Sequence, residues 1–169
     1  MRLTSLAGFL LLSVATQVAA EPLQRVRPTD PVLKGLIEQG CKRSATFRGL
    51  IGRLESADWL VFIQRGRCPD RAAVGCLWHT IGTFEDRRYV RLIVTPEGRH
   101  PDLVIATVAH ELQHAFEVIS DGGVTDRASL IALVQRISNH RFYTSGTTIY
   151  ETTEARRVGD VVLRELLQR

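Results

Sequence analysis

The sequence predicts an α+β fold: N-terminal helices, a three-stranded and mainly antiparallel sheet, then a buried helix and further C-terminal helices. Three observations carry this. Apolar residues recur at helical spacing near both ends, Leu33, Leu36 and Ile37 early and Ala155, Val158, Val162 and Leu166 late. Between them lie three short β-rich runs joined by tight links. No repeat or low-complexity tract divides the chain.

Residues 1–20 read as a signal peptide. Arg2 is a positive start, Leu3 to Val18 carries no charge, and Val18-Ala19-Ala20 presents small residues where a signal peptidase cuts. The stretch is shorter than the ~20 apolar residues of a spanning helix, so the expectation is bacterial-type export to the periplasm or medium, with no stable membrane insertion afterwards. The remaining residues, 21–169, number 169 − 20 = 149 and fit one domain. Loss of Arg2 lowers the net charge from +4 to +3. The other arginines are scattered, which argues against a nucleic-acid partner.

An oxidising compartment favours pairing among Cys41, Cys68 and Cys76. Cys68 and Cys76 flank a segment with Pro69 and Gly75 and are expected to close the loop before a strand. Cys41 remains a lone thiol on a helix.

Glu21 to Pro31 is an extended, proline-containing lead-in, and Pro31 to Gly40 is the first helix. Ser44 caps a second, with Phe47, Leu50, Ile51 and Leu54 on one face. Asp58–Gln64, Cys76–Phe84 and Arg87–Thr95 are the strands; Glu85-Asp86 is a hairpin-length link between the last two, and the three form a meander. Pro101 suits the first position of a central helix that Gly122-Gly123 stops at Ser120. Asp126 caps a helix through Ile137, Ser138 to Gly146 is a loop, and Tyr150 to Gln168 is the last helix.

The central helix carries His110-Glu111-Leu112-Gln113-His114. Residues four apart stack on one helical face, so both imidazoles can aim at one ion. Glu111 is turned about 100° away, poorly placed as a ligand but able to reach a water held by the metal. A catalytic zinc takes three protein ligands and keeps one position for water; the metal acidifies that water and the glutamate accepts its proton. Leu103, Val104, Ile105, Val108, Leu112 and Phe116 make the helix apolar nearly all round, and imidazoles and a carboxylate on a buried helix need partners or a metal.

This pattern resembles the HExxH zinc metallopeptidases, the zincins, and within them the small gluzincin-like members in which a glutamate from a later helix completes the site. It is also similar to uncharacterised secreted bacterial proteins with this motif and a Glu-Thr near the C-terminus. The resemblance implies a zincin-like metallopeptidase domain and Zn2+ held by His110, His114 and a third residue. The metzincin continuation HExxHxxGxxH is absent, since Glu117 and Ser120 stand where its glycine and third histidine belong.

Glu117 lies ~10 Å along the axis from His110, so it reads as a residue supporting a ligand rather than as one. The apolar stripe of the last helix, extended backward, meets Glu151, whereas Glu154 falls about 60° off it. Glu151 is the expected third ligand and Glu154 the alternative. His140, Tyr143 and Tyr150 are candidate oxyanion donors; His79 reads as a sheet residue. The leading expectation is a secreted zinc endopeptidase on a peptide or protein substrate, with Arg87–Thr95 as the sheet edge that receives an extended peptide. The alternative is a non-catalytic metal-binding or partner-binding module.

Overall fold

The computed structural model describes residues 24–144 and 147–168, with the side chains of residue 140 and of 142–149 outside that description. The expected signal peptide lies outside the described residues, and none of the described helices is long and apolar enough to cross a membrane.

Among the described residues the fold is mixed: five helices, a four-stranded mixed sheet and a separate two-stranded antiparallel sheet. In chain order these are β1 (Val26–Pro28), α1 (Pro31–Arg43), α2 (Ala45–Glu55), β2 (Leu60–Arg65), β3 (Gly75–Phe84), β4 (Arg87–Val94), α3 (Pro101–Ser120), α4 (Arg127–Ile137), β5 (His140–Thr144), β6 (Thr147–Glu151) and α5 (Thr153–Leu167).

The helix starts follow local chemistry. Asp30 accepts the N–H groups of Val32 and Leu33, Ser44 that of Phe47, and Asp126 forms a capping box with Ser129. The central helix ends at Asp121, whose backbone is extended, rather than at a left-handed glycine: Gly122 and Gly123 have no positive φ, and the Asp121 carboxylate accepts the Gly123 N–H.

The expected antiparallel meander is corrected. The three expected strands exist, but the order is β1-β2-β4-β3, with β1 parallel to β2, β2 parallel to β4, and only β3 and β4 antiparallel. The lead-in supplies the fourth strand, held where the Glu55 carboxylate accepts the N–H groups of Gln24, Arg25 and Val26. Composition explains the order. β2 and β4 bury Val61, Ile63, Val90, Leu92 and Val94 and take the centre. β3 contains Gly75 and Gly82 and no fully buried residue, being half-buried from Gly75 to Gly82 and exposed at Thr83 and Phe84, and takes the edge. β4 is paired on both sides, so the expectation that Arg87–Thr95 offers a free edge fails; β3 has that edge.

Helices α1, α2 and α3 pack on one face of the sheet, and the core runs through Leu33, Phe47, Leu92, Ile105 and Leu112 into Val158 and Val162 of α5. Two further corrections concern the C-terminal third. The expected loop from Ser138 contains β5, which pairs antiparallel with β6 from His140↔Glu151 to Thr144↔Thr147. The last helix begins at Thr153, three residues later than expected, because Thr152 caps it. Cys68 and Cys76 are disulfide-bonded and Cys41, half-buried on α1, is free.

Candidate metal centre

α3 places His110 and His114 one turn apart, with ring centroids 4.9 Å from each other. β6 ends at Glu151, and pairing with β5 carries this last residue over the two rings. Glu151 Oε2 is 3.3 Å from His110 Nε2, and Oε1 is 3.3 Å from His114 Nε2. One ligand atom from each residue lies within 4.8 Å of the others. Ligands about 2.0–2.1 Å from a tetrahedral zinc stand ~3.4 Å apart, so the donor set suits that ion in chemistry, and each imidazole nitrogen stands at such a distance from a Glu151 oxygen. Close helix packing permits the approach: α5 lies against α3 at Gly159, where a β-carbon would stand 3.3 Å from His110 Cβ.

The surroundings fix these side chains. His114 Nδ1 is 3.1 Å from Glu117 Oε2, and Glu117 Oε1 accepts from the Thr152 hydroxyl at 2.8 Å. The same hydroxyl accepts the Ala155 N–H at 3.1 Å, while the Thr152 N–H donates to Glu151 Oε1 at 2.9 Å. A carboxylate at Nδ1 fixes the tautomer that leaves Nε2 free for a metal.

Glu111 is buried. Its carboxylate lies against β3, where a β-carbon on Gly75 would stand 3.1 Å from Glu111 Oε1, and it also feels the charges of His114, His110 and Glu151. Strand register decides which backbone groups of β3 face outward. Thr95 N–H bonds Val74 C=O, so Val74, Cys76 and Trp78 exchange hydrogen bonds with β4, and Gly75 and Leu77 turn their polar groups outward. Gly75 lets the strand come this close: a β-carbon there would lie 2.9 Å from Glu111 Cγ and 2.7 Å from Thr107 Cγ2.

The charges are strongly coupled. Burial works against an imidazolium at His114, yet the carboxylates of Glu117, Glu151 and Glu111 outweigh it and raise the pKa to about 10. Burial likewise works against the Glu151 carboxylate, but hydrogen bonds from His110 and His114 bring it down to about 2. Glu111 is shifted up, chiefly by burial. His79 is shifted down, first by burial and then by Arg127 and His114.

These residues open on a cleft of about 650 Å³ between α3, the outer edge of β3, α4 and the start of α5. His79 and Arg127 line it, as does Tyr150, whose ring is 6.4 Å from that of His79 and whose hydroxyl accepts from Gln135 at 3.1 Å. The disulfide forms part of the wall.

No family model matches the chain, and no curated protein or solved structure shows significant similarity to it. What the site can do is read from its own side chains. The structure brings His110, His114 and Glu151 together, sets Glu117 behind His114 and Glu111 beside the edge strand, and puts Tyr150 on the cleft wall. Glu154 is elsewhere: it is exposed and holds Arg157 through two hydrogen bonds, at 2.7 and 2.6 Å. The side chains of His140 and Tyr143 lie outside the described residues. Sequence reasoning passed over Thr152 and Gly75 and treated His79 as a sheet residue. Alternation along β3 carries a signal for it, since Gly75, Leu77 and His79 share the face toward the motif helix.

Proposed function

We propose that this chain is an exported, zinc-dependent, zincin-like hydrolase that cuts peptide bonds, with His110, His114 and Glu151 as ligands and Glu111 as general base. One observation carries the reading: two Nε2 atoms and a carboxylate converge on one point, while a further carboxylate stands beside them outside the ligand set. Zinc bound there would supply a water of lowered pKa and a Lewis acid for the scissile carbonyl. A structural site needs no such extra carboxylate, so Glu111 favours an enzyme over a metal-binding module.

The other residues divide the remaining work. Glu111, packed against Gly75 of β3 and lining the cleft, stands at the boundary between cleft and strand, where a base must reach both water and leaving group. The outward carbonyls of Gly75 and Leu77 can pair with an extended peptide laid along β3. Among the described residues, Tyr150 and His79 line the cleft as candidate donors for a developing oxyanion.

The test is hydrolysis of an unfolded protein substrate by the mature chain, with and without chelator. Hydrolysis should stop on chelation and return with zinc. Glu111→Gln should keep the metal and lose at least 10²-fold in kcat. A zinc-loaded wild type that cuts no unfolded protein would leave a non-catalytic metal-binding module instead.

A further inference from the structure

We infer that Thr152 is a positioning residue for the metal, and that capping helix α5 and presenting His114 are a single structural event. This rests on the proposed metal site. The observation is a closed ring of contacts: His114 Nε2 to Glu151 Oε1 at 3.3 Å, Glu151 Oε1 to the Thr152 N–H at 2.9 Å, the Thr152 hydroxyl to Glu117 Oε1 at 2.8 Å, and Glu117 Oε2 to His114 Nδ1 at 3.1 Å. One residue thus orients two carboxylates that meet opposite nitrogens of the same imidazole.

The ring is buried enough to matter. Thr152 is 6 % exposed, and Glu117 and Glu151 are largely covered. A hydroxyl has one proton and two lone pairs. Here the proton goes to Glu117 and a lone pair accepts the Ala155 N–H that starts α5, so the helix cap fixes the direction in which the proton points. Gln113 reaches the same Glu117 oxygen only at 3.4 Å, which leaves Thr152 as the close donor among the described residues. Without that donor Glu117 can rotate, the Nδ1 hydrogen bond weakens and Nε2 is no longer held toward the metal. The converse also follows: metal that fixes His114 and Glu151 holds the start of α5 in place.

The experiment measures zinc affinity by competition with a chromogenic chelator, using the mature chain. Thr152→Val should weaken zinc binding by roughly 10- to 100-fold, and Thr152→Ser should restore it. Loss of a cap alone is controlled by Asp126→Ala, which uncaps α4 by removing hydrogen bonds to Ser129 and none to Glu117 or Thr152 and should leave affinity unchanged. In a Glu117→Gln background, Thr152→Val should add little, because the two act through one contact. Wild-type affinity in Thr152→Val overturns the inference while the metal site stands. So does full additivity with Glu117→Gln, or an equal loss in Asp126→Ala. A wild type that binds no zinc overturns the metal site and this inference together.

Discussion

Gly75 sets how near the edge strand can come to Glu111. A methyl group there would overlap Thr107 Cγ2 at 2.7 Å and Glu111 Cγ at 2.9 Å, and neither helix α3 nor the paired strand can move without disturbing the core. Gly75→Ala should therefore cost about 1–3 kcal/mol, read by chemical denaturation, and should lower kcat more than it weakens zinc binding. Unchanged stability would mean that the strand relaxes freely. His110, Glu111 and His114 were legible in the sequence because a helical spacing of four is a strict geometric constraint. Glu117 was legible as a neighbour on the same face. Thr152 and Gly75 were not, because their roles depend on which strand and which carboxylate lie opposite, and no local pattern encodes that.

At the level of elements, α5 is tied at both ends. Near its C-terminal end Glu165 accepts from the Ser44 hydroxyl, from the Thr46 N–H at 3.1 Å and from the Thr46 hydroxyl at 2.8 Å, closing the N-terminus of α2 from across the fold. Glu165→Ala should cost about 1–2 kcal/mol by removing a carboxylate from a helix start. Thermal or urea unfolding checks this, and a change under a few tenths would show that water replaces the carboxylate fully. All five helices of the described residues were readable from apolar periodicity and caps. Strand pairing was not: β2, β3 and β4 each looked like members of a meander, and the polar, glycine-containing character of β3 was the available clue to an edge. The β5–β6 hairpin was missed although β-branched and aromatic residues flank Ser145-Gly146, because Glu151 continues the helix's apolar stripe and made the helix look longer. That extension reached the residue now found beside the histidines by treating a strand end as a helix turn.

At the level of the molecule, a metal at the proposed site would compete with protons for the same groups. In the metal-free protein His114 is raised from 6.5 to about 10, so its contribution to stability is fully present below pH 6.5 and is lost as pH rises through about 10. Glu111 is also raised and acts in the same direction. Glu151 is lowered from 4.5 to about 2, so its contribution is present above pH 4.5 and lost as pH falls through about 2. A metal ligand must be neutral imidazole, so zinc bound at the proposed site would displace the His114 proton. The rise in Tm on adding zinc should therefore be larger at pH 8 than at pH 5.5. Equal shifts at the two values would mean that the ion does not compete for that nitrogen.

The most direct measurement is zinc content per chain, determined by elemental analysis after dialysis, for the mature protein and its Glu151→Gln, Glu154→Gln and Glu111→Gln variants. The wild type, Glu154→Gln and Glu111→Gln should each hold one zinc per chain, and Glu151→Gln should hold little, since an amide is a poor substitute for a carboxylate ligand. A wild type without zinc, or a Glu151→Gln chain that keeps its full complement, would contradict the assignment of His110, His114 and Glu151 as the metal site.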